Sequence, residues 1–151
     1  MPIFSPSPPT PDATAGARHA RAWIALVAVL ALHVVDEALT GFLDFYNPLV
    51  RNIRASVGWF PMPTFTPGPW LAGLAAVVAV LALLTPAVRR AATATWVASW
   101  IFGGIMLANG LGHLLGSFYF GRWLPGATTA TLLIVGSAWL LQRTREHPPG
   151  P

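Results

Sequence analysis

Four long apolar runs divide the chain, and arginine, proline or a polar cluster separates each from the next. The first runs from about Ala22 to Phe45 and the second from about Pro69 to Thr85. The third runs from about Thr93 to Phe120 and the fourth from about Leu124 to Leu141. A helix that crosses a bilayer needs about 20 mostly apolar residues. The second run is short and reaches across only by borrowing Phe65 or Pro86, while the third is long enough to tilt. Pro67 and Pro69 fall near the start of the second run, where proline is tolerated. The pattern predicts an all-α, four-helix transmembrane bundle over residues 18–143. Residues 1–17 and 144–151 are rich in Pro, Ser, Thr and Ala or end in "EHPPGP", and are expected to be disordered tails. In the one substantial loop, residues 47–66, the stretch "NPLVRNIRASVGWF" is expected to form a short surface helix with Trp59 and Phe60 at the interface.

Composition agrees with a lipid environment. Hydrophobic residues make up 54% of the chain and charged residues only 9%, against about 25% charged in an average soluble domain. All nine basic residues are arginines, placed singly or in pairs, with no basic run interleaved with aromatics. This argues against a nucleic-acid partner. The chain has no cysteine, which excludes disulfides and thiolate metal sites. A cleaved signal peptide is not expected from the first run, because it is too long and carries His33, Asp36 and Glu37. With four spans, Arg18, Arg21, Arg89, Arg90, Arg143 and Arg145 share one side, and Arg51, Arg54 and Arg122 the other. The positive-inside rule then puts both termini of a multi-pass membrane protein in the cytoplasm.

The first run contains "ALHVVDEALTGFLDF", which holds three of the five carboxylates. On a helix, His33 neighbours Asp36 and Glu37, and the stripe continues through Thr40, Gly41 and Asp44. An acid near the middle of a span costs about 2.5–3.5 kcal/mol, while each large aliphatic residue or Phe returns about 0.3–0.6. A dozen such residues return roughly 5 kcal/mol, all of which Asp36 and Glu37 together can consume, so the run needs partners, protons or a cation. The third run offers Asn109 and His113, four apart. Gly104, Ala108, Gly112 and Gly116 also recur every four residues there, a spacing expected to form a close helix contact. At about 1.5 Å per residue, Glu37 and Asn109 lie roughly 23 and 24 Å along their spans, so a shared site between the first and third spans is expected in the outer half of the membrane.

His-x-x-Asp-Glu in the first span, Asn-x-x-x-His in the third and "GRWLPGATTATLL" before the fourth together resemble the HXXEE family of small bacterial membrane proteins. That family has Glu-Glu where this chain has Asp36-Glu37, and a turn like Trp123-Leu124-Pro125-Gly126-Ala127-Thr128-Thr129. The resemblance covers residues 22–142 and implies an architecture and a site, with no established activity.

Three chemistries fit the seam. His33, Glu37 and His113 can ligate zinc or iron, with Asp36 or Asn109 in support. The ligands are too few for a di-iron bundle. Alternatively, His33, Asp36, Glu37, Asn109 and His113 can exchange protons with a hydrophobic small molecule, a layout similar to that of the emopamil-binding isomerases. The non-enzymatic alternative is ligand binding or a proton or ion pathway, with the polar seam mainly fixing helix packing. The tryptophans at 70, 96, 100, 123 and 139 read as interface anchors and packing.

Overall fold

A computed structural model describes residues 11–90, 92–146 and 148. These residues form helices α1 (Pro11–Leu39), α2 (Phe42–Val57), α3 (Pro67–Leu83), α4 (Thr85–Arg89), α5 (Thr93–Tyr119) and α6 (Ala127–Glu146), with no strand among them. Three segments are long and apolar enough to cross a membrane: Thr14–Leu39, Pro67–Arg89 and Thr93–Tyr119. The fourth expected span corresponds to α6, which is long enough but less apolar on average, because Gln142, Arg143, Arg145 and Glu146 fall in its last turns.

The first apolar run is two helices rather than one. Gly41 adopts φ 77°, ψ 42°, a left-handed conformation that suits glycine and stops a helix. The hydroxyl and backbone N–H of Thr40 both donate to the Asp36 carbonyl at this end. Asp44 then lies in the first turn of α2, where a carboxylate faces the positive end of the helix dipole. The polar stripe therefore ends at Glu37, and Thr40 and Asp44 are exposed. The surface helix expected after residue 47 is present as α2, and Trp59 beyond it is exposed.

The tails are shorter than composition suggested. Residues 11–17 already belong to α1, and α6 continues through Thr144 to Glu146. Residues 1–10, 147 and 149–151 lie outside the described residues.

One face of α1 does most of the packing. His19, Trp23, Leu26, Leu30, His33 and Glu37 are all buried, spaced three or four apart. This face meets α6, which runs antiparallel along α5 and also packs against α1. The close contact on α5 uses a different stripe from the one expected. Cβ atoms built on Gly104 or Gly112 would meet nothing within 4 Å, and Gly104, Ala108 and Gly112 are exposed. Instead, a Cβ on Gly110 would lie 2.8 Å from the Ala130 carbonyl oxygen, and one on Gly103 would lie 2.8 Å from Leu141. Gly103 and Gly110 are seven apart, the repeat of a helix pair in steady contact.

Two indoles close the other end of the bundle. Trp23 Nε1 donates to the Leu81 carbonyl at 2.8 Å, and Trp96 Nε1 to the Thr144 carbonyl at 3.0 Å. Both acceptors belong to the last turn of a helix, where carbonyls have no partner within the helix, and lipid supplies none.

Gly110→Ala is expected to lower stability in detergent by about 1–3 kcal/mol, since backbone cannot yield to the new methyl. Gly104→Ala is expected to stay within about 0.5 kcal/mol of the parent. Thermal unfolding of the two variants checks which stripe of α5 carries the contact.

Candidate functional site

The expected polar residues converge where the last turns of α1, the C-terminal third of α5 and the first turn of α6 meet. Glu37 Oε1 lies 3.1 Å from His113 Nε2 and 3.5 Å from His33 Nε2. The imidazole centroids are 4.8 Å apart and nearly perpendicular. His33 and Glu37 are buried, and the His113 side chain is only 10% exposed. Glu37 sits two residues before the end of α1, about 3 Å along the axis. The acids are thus close to a helix end, where charge is less costly than at mid-span.

Helix α6 completes the site. Thr129, its third residue, donates its backbone N–H to Asp36 Oδ2 at 3.1 Å and its hydroxyl to the same oxygen at 2.9 Å. Asp36 is therefore an N-cap supplied by another helix, satisfying a donor that the first turn leaves free. The Thr129 oxygen also lies 2.7 Å from His33 Nδ1. A threonine hydroxyl has one proton. With that proton given to Asp36, His33 Nδ1 carries a hydrogen and donates it. In a neutral ring, Nε2 then presents a lone pair toward Glu37, and Nε2 has no hydrogen-bond partner. A lone pair and a carboxylate oxygen 3.5 Å apart repel unless a proton or a cation lies between them.

Gly126 forms the floor. Its φ is 81°, and a Cβ there would lie 2.8 Å from His113 Cε1, 2.9 Å from His33 Cε1 and 3.0 Å from Glu37 Cγ. Backbone freedom and close approach both require glycine at this position.

Asn109 stands one turn before His113 and makes no hydrogen bond to the cluster. It borders a cavity that His113 also lines. Thr129 and Gly126 were not expected as site residues, although both belong to the Pro-Gly-x-x-Thr turn that carries the family resemblance. Asn47, on α2, ties down the following loop: its amide pairs with the Phe65 N–H and carbonyl at 3.0 and 2.9 Å. Tyr46 donates to the Pro63 carbonyl at 3.0 Å. Desolvation pushes its phenol above the ordinary value, with Arg54 pulling the other way, so it stays protonated as a donor.

Residues 23–140 match the family described as "Protein of unknown function with HXXEE motif". The chain belongs to this family. The motif of the HXXEE proteins is represented here by His33, Asp36 and Glu37, and the matched segment includes His113, Gly126 and Thr129. No curated protein and no solved structure matches the chain.

Thr129→Val keeps the shape of the side chain but removes the proton that Asp36 accepts and the oxygen that His33 contacts. A loss of about 1–3 kcal/mol is expected from the polar groups left unpaired, with Thr129→Ser restoring most of it. Thermal unfolding measures the loss, and the nitrogen NMR shifts of His33 report the change of tautomer.

Proposed function

We propose that this HXXEE protein binds one zinc or iron ion in the membrane through His33 Nε2, Glu37 Oε1 and His113 Nε2. The reading rests on one observation: two imidazole nitrogens converge on the same carboxylate oxygen at 3.1 and 3.5 Å. Ligands bound at about 2.0–2.1 Å with tetrahedral angles stand roughly 3.3 Å apart, so the spacing suits a shared ion. Two histidines and one carboxylate serve both catalytic zinc and non-haem iron, and both leave positions open. Thr129 and Asp36 supply the outer hydrogen bonds that fix the orientation and basicity of a ligating histidine. A bound ion provides Lewis acidity toward water or a substrate oxygen. Asn109 stays outside the ligand set.

Metal-free acid–base chemistry on a hydrophobic small molecule is the second reading. A cavity of about 280 Å³ that reaches Glu37 from between α1, α2 and α3 favours it. There His33 and Glu37 share a proton in place of an ion.

Helix α6 is proposed as a fourth span. It accompanies α5 from Gly110 beside Ala130 to Trp96 bonded to Thr144, so it covers most of the depth that α5 covers. Both termini then face the cytoplasm of a bacterial inner membrane, on the side with six arginines.

Elemental analysis of the purified protein is expected to find one zinc or iron per chain, absent in Glu37→Gln. Thr129→Val is expected to bind that ion about 10–100-fold more weakly. A metal-free wild type that keeps its fold would favour the acid–base reading. For topology, the chain has no native cysteine, so single cysteines report directly. Cysteines at 90 and 145 are expected to resist an impermeant thiol reagent in intact cells, and one at 122 to react.

A further inference from the structure

Phe42 stands between two cavities. One, of about 280 Å³, is bordered by Glu37, Phe42, Pro67 and Trp70. The other, of about 220 Å³, is bordered by Phe42, Asn109, Gly112 and His113. The Phe42 ring stacks on Trp70, with centroids 5.9 Å apart at 22°, and leans on His113 at 5.9 Å and 50°. Each cavity is smaller than the roughly 300–1,000 Å³ of a typical small-molecule site, and Phe42 is the side chain that borders both. The second cavity also has a polar feature. Asn109 Oδ1 is buried without a hydrogen-bond partner. An acceptor held inside a membrane protein has no lipid donor to turn to. Asn109 and His113 are four apart, so their Cβ atoms are about 6 Å apart on one face of α5.

We propose that these two cavities bind a long-chain alcohol from the bilayer, its hydroxyl donating to Asn109 Oδ1 and its tail passing Phe42 toward Trp70. This rests on the reading that His33, Glu37 and His113 form the functional centre. A hydroxyl alone among common lipid heads suits both neighbours. It donates to Asn109 and keeps an oxygen lone pair to turn toward the centre. An ammonium has no lone pair to offer. Ionised carboxylates and phosphates accept only, and they face an acceptor at Asn109 and the charge of Glu37. Trp70 and Leu71 of α3 give the tail an apolar wall in the first cavity, whose other side holds Glu37 and Asp44.

The probe is hexadecanol carrying a diazirine in its chain, photolysed with the full-length protein in nanodiscs, with adducts counted by intact mass spectrometry. The alcohol is expected to label wild type with competition by plain hexadecanol. Its methyl ether, unable to donate, is expected to label about tenfold less, the worth of one hydrogen bond. Asn109→Leu is expected to lose the same factor, with metal content read in parallel. Equal labelling by alcohol and ether overturns the proposal without recourse to any variant, as does undiminished labelling of folded Asn109→Leu. Alcohol-selective labelling of a metal-free protein would sink the metal reading and leave this one standing. A metal-loaded protein without selectivity would do the reverse.

Discussion

The junction is held by Asp36 reaching across to cap a helix that is not its own. Its Oδ2 takes both the backbone N–H and the hydroxyl of Thr129, which joins the end of α1 to the start of α6. Three consequences follow. The carboxylate gains donors and the positive end of a helix dipole, so it is tolerated in a span. With the Thr129 proton given to Asp36, neutral His33 carries its hydrogen on Nδ1. The backbone of Gly126, just before α6, is drawn against His33, Glu37 and His113, leaving no room for a side chain. An acid that looked like a liability for the first span thereby sets the position of everything around it.

Much of this was legible in the sequence, and the parts that were not have physical causes. Hydrophobic run length located three helices long and apolar enough to cross a membrane, and helical spacing placed His33, Glu37 and His113 where they could meet. The end of α1 was not visible, because periodicity does not register a positive φ, and helical spacing continues on both sides of Gly41. The contact face of α5 was misassigned because small residues four apart permit close approach without requiring it. Gly104 and Gly112 point away from the rest of the bundle, while Gly103 and Gly110 meet α6. Thr129 escaped notice because its role depends on a helix 93 residues away in sequence. Only the turn that precedes it gave a hint.

A second buried histidine of α1 contacts two hydroxyls. His19 lies at the opposite end of the same face of α1, 1% exposed. Its Nε2 is 3.0 Å from Ser99 Oγ and 3.2 Å from Thr144 Oγ1. Those hydroxyls give their protons to the Thr95 and Leu140 carbonyls, each at 2.8 Å. Both oxygens are then acceptors, and a single N–H on Nε2 serves them together. The arrangement binds α1, α5 and α6 through one imidazole nitrogen and two hydroxyls.

The cluster at the other end places a carboxylate between two imidazoles. The ring of His33 is oriented as firmly as that of His19, yet its inward nitrogen meets a carboxylate oxygen and not a donor. Helix packing alone would be served as well by apolar residues of similar volume, because removing ions from water often costs more than their pairing returns. The same three helices already pack around His19 without any charge on the hydroxyls that hold it. On the proposed reading, a second histidine, a buried carboxylate and a glycine floor at the far end answer a demand other than packing. That demand is for positive charge held at one point among three side chains, whether carried by a metal ion or by a proton.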